Sequence, residues 1–414
     1  MSAVPNLSQA QLTNLARLAI RGGLNLQPGQ ELLVAVDVTQ LDAARAVAEE
    51  AYRAGAKCVR MLFGDEQIDL ARLNLGSEEA VAYAPAWHMD ALAGVLERGG
   101  AYLRLEGSNP TLYQNVEPAR IKSSVTAQSI AAKKLLEMIS GSYSNWSIVP
   151  VASTAWAKQV FPDLPTDQAM DKLWQALLSV TRADQPDPVA AWKAHCDELE
   201  TRRDALNALN LTALHFSGLG TDLRVGLVDG HKFVSGRMTC KNQIVCSPNI
   251  PTEEIFTMPH RERTEGTVRS TKPLAARGNV IEGIEMEFKA GKVVKATATK
   301  GQESLTELIA LDEGMTHLGE VALVPESGAV AKSGLLFYNT LLDENAACHI
   351  ALGQALKMNL PGSADMSEEQ SLAHGMNASK GHTDWMIGSP QVDVHGILPD
   401  GSTQPIIKSG LWAI

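Results

Sequence analysis

Between residues 31 and 63 the apolar pattern changes period twice, and few folds accommodate that. Glu31 to Val38 is a short apolar run of the kind a buried strand needs. Leu41 to Arg53 repeats Ala and Val at helical spacing and stops at Gly55, and Lys57 to Phe63 returns to strand character. A strand, a helix and a second strand in so short a span make a βαβ unit, whose crossover leaves the strands parallel. The alternation continues with a helix near Glu78–Arg98, a strand at Ala101–Leu105, a helix near Ala127–Ile139 and a strand at Trp146–Val151. Ahead of it, Ser8-Gln9-Ala10-Gln11 is a capping box with Leu7 and Leu12 placed as a hydrophobic staple, which predicts a helix to about Ile20, ended by Arg21-Gly22-Gly23. Helices over Asp167–Arg182 and Pro188–Leu209, with a turn at Ala183–Asp187, close this half.

From about Leu211 the texture changes. Ala213–Leu219, Asp222–Leu227 and Ile281–Thr299 alternate apolar and polar residues, and Lys289-Ala290-Gly291-Lys292 is a hairpin turn. One helix is expected from about Asn345 to Met358. The expected fold is therefore an α/β N-terminal domain with a parallel sheet over residues 1–210. A mainly β (α+β) C-terminal domain follows over residues 211–414.

Several function classes are excluded by what is missing. A net charge of −11 with no broad basic stripe argues against binding nucleic acid or an anionic membrane. Met1 to Leu7 has no cationic segment followed by an apolar run, so no export is expected, and no apolar stretch has transmembrane length. The five cysteines are sparse, odd in number and without a C-x-x-C, which points to reduced thiols in a cytoplasmic protein rather than a cysteine zinc site. Gly218-Leu219-Gly220 begins like a dinucleotide fingerprint, but Leu223 stands where the third glycine belongs. There is no phosphate loop, G-x-S-x-G or H-E-x-x-H.

The informative residues lie between Pro251 and Gly388. In Pro251-Thr252-Glu253-Glu254-Ile255-Phe256-Thr257 two acids sit among apolar neighbours, which alone reads as a solvated edge or a helix start. His317 to Val324 is a strand with both faces apolar, so Glu320 is expected to be buried and to need a cation, an arginine or a proton. Asn339 to Gly353 holds Glu344 and His349. Five residues turn about 140° around a helix, so both reach one site only if Glu344 comes from the preceding turn. His382-Thr383-Asp384 on a strand puts both ligand-type side chains on one face. Together these segments offer four carboxylates (Glu254, Glu320, Glu344, Asp384) and two histidines, which balance two divalent cations.

These four segments, in this order and spacing, resemble the M29 family of metallo-aminopeptidases, and the opening βαβ half extends the resemblance over nearly the whole chain. The resemblance implies that Glu254, Glu320, Glu344, His349, His382 and Asp384 hold two divalent ions per chain, whether zinc, cobalt, manganese or magnesium. It implies a soluble homodimer that releases N-terminal residues from peptides with a free amino end. Glu254, Glu320 and Tyr338 are the expected catalytic residues. The family pattern has a tyrosine seven residues after the histidine, where this chain has Leu356; on a helix that position is two turns on and shares the face of His349. Two other readings stay open: a metallohydrolase of another amide or ester, and a two-domain solute-binding protein whose acids are structural.

Overall fold

The computed structural model describes residues 7–276, 279–364 and 366–414, so the Met1–Leu7 opening lies, apart from Leu7, outside the described residues. The chain divides into two compact units: Met1–His195 with Arg237–Pro251, and Cys196–Gly236 with Thr252–Ile414.

In the first unit β1 (Glu31–Asp37), β2 (Cys58–Gly64), β3 (Ala101–Glu106) and β4 (Trp146–Pro150) form a parallel sheet in the order β2-β1-β3-β4. Leu32, Leu33 and Val34 of β1 are buried, as a central strand covered on both faces requires. The helix Leu41–Arg53 turns Ala43, Ala44, Val47 and Ala51 inward. Ser8 and Gln11 form the capping box, and the helix Gln9–Arg17 then widens into a π-turn over Leu18–Gly23. The helix read near Glu78–Arg98 is two pieces, Glu78–Val81 and Ala86–Glu97, because Pro85 cannot continue the first and precedes the second. The one near Ala127–Ile139 is also two, Pro118–Ala131 and Lys133–Ser140. A further helix, Glu66–Leu75, follows β2 and is capped by Asp65. No helix among the described residues is long and apolar enough to cross a membrane.

The second unit is built mainly from antiparallel strands. One sheet of eight joins β5 (Ala213–Gly218), β6 (Thr221–Leu227), β11 (Pro259–Arg269), β14 (Glu285–Lys289), β15 (Lys292–Thr297), β19 (Asp393–Ile397), β20 (Thr403–Lys408) and β21 (Leu411–Trp412). A second sheet runs β18 (His382–Met386), β17 (His349–Gly353), β16 (Leu318–Leu323), β10 (Ile255–Thr257), β7 (Val234–Ser235). Two short pairs complete the set: β8 (Met238–Thr239) with β9 (Val245–Cys246), which belongs to the first unit, and β12 (Leu274–Ala276) with β13 (Asn279–Ile281). Phe216, Leu223, Phe288, Val321, Ile350 and Trp385 belong to one continuous core.

The expected helix over Asn345–Met358 is absent. Thr340–Asp343 is a helical turn, Glu344–Ala346 a 3₁₀ turn, and His349–Gly353 a strand paired on both sides, to β16 and β18. Ile350 and Leu352 pack in the core, and Gly353 has φ +108°, which a helix does not accept. Leu356 lies beyond the strand, half-buried and extended, so the helical relation between Leu356 and His349 does not exist.

Candidate functional site

The five-stranded sheet gathers the site through register. Glu320 of β16 is opposite Ala351 of β17, which is opposite Asp384 of β18, so these three side chains share a face. His349 and Gly353 flank Ala351 by two residues and point the same way, and His382 is opposite Gly353. Glu254 stands immediately before β10, whose Phe256 pairs with Ala322 of β16. The other face of this sheet, with Val321, Ile350 and Trp385 in one row, is core. Strand alternation thus separates ligand-type side chains from apolar ones, and the small Ala351 and Gly353 leave room between the carboxylates.

Two trios result. Glu254, Glu320 and His349 bring ligand atoms within 4.8 Å of one another, and so do Glu320, His382 and Asp384. Nε2 of His349 is 3.1 Å from Glu254 Oε2 and 3.7 Å from Glu320 Oε1. Nε2 of His382 is 3.5 Å from Glu320 Oε2 and 3.3 Å from Asp384 Oδ1. Glu320 therefore gives one oxygen to each trio. Relative exposure is 7% for Glu254, 5% for Glu320, 8% for Asp384 and 0% for His349.

The imidazoles are oriented by backbone. Nδ1 of His349 lies 3.2 Å from the Ala347 carbonyl and Nδ1 of His382 lies 2.7 Å from the Gln354 carbonyl. A carbonyl only accepts, so each Nδ1 carries the proton and each Nε2 is left to face the carboxylates. His349 Nε2 and Asp384 Oδ1 are buried with no hydrogen-bond partner among the described residues. A lone pair turned toward carboxylate oxygens in a buried site needs a positive charge between them. Divalent zinc bonds nitrogen and oxygen at about 2.0–2.2 Å, which sets tetrahedral donor atoms roughly 3.3–3.6 Å apart. The four separations cluster around that value, and the residues present fit a small divalent cation.

Without metal, protons must serve. Burial opposes charge on His349 and His382. On His349 this is outweighed by Glu254 and Glu320, on His382 by Asp384 and Glu320, and both rings are held well above the usual histidine range. Burial, with Glu320 and Asp384 nearby, raises the Glu254 carboxyl. Burial also raises Asp384, but His382 and His349 outweigh it and the net shift is downward.

Glu344 belongs to neither trio. It sits on the 3₁₀ turn before β17, and its carboxyl is pushed well up by burial and by the charges of Asp384 and Glu254. Tyr338 lies ahead of the turn Thr340–Asp343 with φ +55°, and its hydroxyl makes no hydrogen bond among the described residues. Glu253 is buried but turned away from its neighbour: its carboxylate accepts from the Ala329 N–H, and its own N–H donates to Asn345 Oδ1. The orienting carbonyls of Ala347 and Gln354 have no local sequence signal. Asp312, which holds the loop before His382 through Ser379 Oγ and Lys380 N, has none either. The alternation His349-x-Ala351-x-Gly353 was the one available clue to a strand.

Comparison with known proteins follows the same lines. A family model described as thermophilic metalloprotease (M29) matches residues 8–412. Aminopeptidase T of Thermus thermophilus is 45% identical over 97% of this chain and 98% of that protein. Aminopeptidase 2 of Geobacillus stearothermophilus is 42% identical over 99% of each chain. The solved structure of wild-type AmpT from Thermus thermophilus superposes with a TM-score of 0.93 at 44% identity, covering 98% of this chain and 99% of that one. These likenesses define a metal-dependent hydrolase of peptide bonds. The chain belongs to the M29 family of metalloproteases.

Proposed function

We propose that this protein is an aminopeptidase that removes residues one at a time from the free amino end of peptides, using two divalent ions that share Glu320. The observation that carries the reading is the division of Glu320, with one oxygen facing His349 and Glu254 and the other facing His382 and Asp384. The relatives named above are aminopeptidases, which supplies the exopeptidase half of the reading.

In this reading Glu254, Glu320 and His349 would hold one ion, and Glu320, His382 and Asp384 the other, with Glu344 beside them. Bound divalent ions supply a water that ionises near neutral pH and polarise the scissile carbonyl. The residues do the rest. The carbonyls of Ala347 and Gln354 fix which ring nitrogen is offered, and the sheet holds Glu320 between the two histidines. Glu344, with its carboxyl raised by burial and by acidic neighbours, is placed to hold a proton or meet the ammonium of a substrate. The mixed nitrogen and oxygen donor set suits zinc, cobalt or manganese, and magnesium less well. We place the protein in the cytoplasm as a homodimer, on the family resemblance and on its sparse, odd-numbered cysteines without a C-x-x-C.

Elemental analysis after gel filtration tests the reading. Two ions per chain, loss of peptide hydrolysis on chelation and recovery with zinc, cobalt or manganese are expected. Full hydrolysis by metal-free protein contradicts it.

A further inference from the structure

Outside the site, two of the five cysteines meet. Cys240 and Cys246 belong to a short hairpin in the first unit, in which Met238 pairs with Cys246 and Thr239 with Val245. Cys240 is two residues on from Met238 and therefore on the same face as Cys246, diagonally across the ladder. Their sulfurs are 3.5 Å apart and both residues are 1% exposed. A disulfide needs about 2.05 Å, so closing the gap takes roughly 1.5 Å of sulfur movement, within reach of side-chain rotation.

The backbone is already held for this. Cys240 N–H donates to the Ile244 carbonyl at 2.9 Å, and Gln243 N–H donates to the Cys240 carbonyl at 2.9 Å. Lys241 N–H donates to the Ser142 carbonyl, and Asn242 Nδ2 donates to Ser144 Oγ and Asn145 Oδ1. These contacts anchor the hairpin without using either thiol. The hairpin also lies at the surface: Lys241, Gln243 and Val245 are exposed, and its strands are two residues each. Local opening, rather than unfolding of the unit, admits a small reagent.

We propose that Cys240 and Cys246 form a reversible dithiol–disulfide site, oxidised in the folded protein by low-molecular-weight disulfides such as oxidised glutathione. The two thiols differ. The Cys246 thiol is lowered by its contact with Cys240 and by the Trp146 N–H, which outweigh burial, while the Cys240 thiol is raised by the same contact and by burial. In this proposal Cys246 is the attacking thiolate. It displaces one glutathione thiolate and forms a mixed disulfide. Cys240 then loses its proton and attacks the Cys246 sulfur, which releases the second glutathione. Two protein thiols are oxidised, one glutathione disulfide is reduced to two thiols, and the protons go to the leaving thiolates. The remaining cysteines act as internal controls: Cys196 is buried in the helix Pro188–Leu209, Cys348 is buried just before β17, and Cys58 is half-buried on β2.

The test uses the intact native chain, incubated with oxidised glutathione and then denatured in a thiol-blocking reagent for mass spectrometry and peptide mapping. The expected result is a fall from five blockable cysteines to three, one peptide linking Cys240 to Cys246, and full recovery with a dithiol reductant. In Cys240→Ser a single glutathione should accumulate on Cys246, whereas Cys246→Ser should leave Cys240 unmodified. Five blockable cysteines after oxidation, an adduct on Cys58 alone, or a 240–246 link only after denaturation overturns the proposal.

Discussion

At the scale of single residues, Glu320 is the pivot. Its two oxygens serve two histidines, so Glu320→Gln removes a ligand from both trios at once. Glu254→Gln should weaken only the ion beside His349 and leave the Glu320, His382 and Asp384 trio in place. Glu253→Gln is the control, since that carboxylate faces Ala329. Loss of an outer-shell partner costs about 10–100-fold in metal affinity, and loss of the ligand itself should exceed that. Isothermal titration of the three variants checks the order; equal affinities for Glu320→Gln and Glu253→Gln would assign the wrong glutamate. The same titration has a pH signature. In metal-free protein His349 and His382 are both held well above the usual histidine range by the carboxylates around them, so near neutral pH the cluster carries protons that bound metal must expel. Metal affinity should therefore rise with pH, and titration in buffers of different ionisation enthalpy should show net proton release. Binding without proton release would contradict this.

At the scale of elements, β17 is where sequence and structure part. Asn345–Met358 is rich in Ala, Leu, Gln, Lys and Met, all good helix formers, but propensity is a weak prior against pairing on both edges. Local features were legible because their physics is local. Ser8 and Gln11 cap their helix, and Ala290 and Gly291 turn their hairpin with φ of +46° and +76°. The types of the site residues were legible for the same reason, since a buried Glu320 advertises a need for charge. Their convergence was not, because Glu254 meets His349 only through the order β10-β16-β17, and no local spacing encodes that. The Cys240–Cys246 contact was hidden likewise, as their spacing matters only once the hairpin closes. The strand predicts a division of labour between its faces. Ile350→Ala, on the core face, should cost about 2–5 kcal/mol of stability and leave metal affinity largely intact. Ala351→Val, between Glu320 and Asp384, should do the reverse. Denaturant and metal titrations on the two variants separate these outcomes, and a stability loss larger in Ala351→Val would mean the faces are misassigned.

At the scale of the molecule, every proposed ligand lies in the unit Cys196–Gly236 with Thr252–Ile414. A ligand that binds only the folded state stabilises it by roughly 2.7 kcal/mol at a hundredfold excess over Kd. Scanning calorimetry should therefore show a transition that chelation lowers and added metal restores, and an unchanged trace would separate the cluster from metal. The central claim, an aminopeptidase working through the Glu320-centred cluster, is tested most directly by timed mass spectrometry of a short peptide digest. Metal-loaded wild-type protein should shorten the peptide one residue at a time from its free amino end, spare the N-acetylated form, and lose this activity in Glu320→Gln. Equal cleavage of the acetylated peptide, or undiminished trimming by Glu320→Gln, would contradict the account.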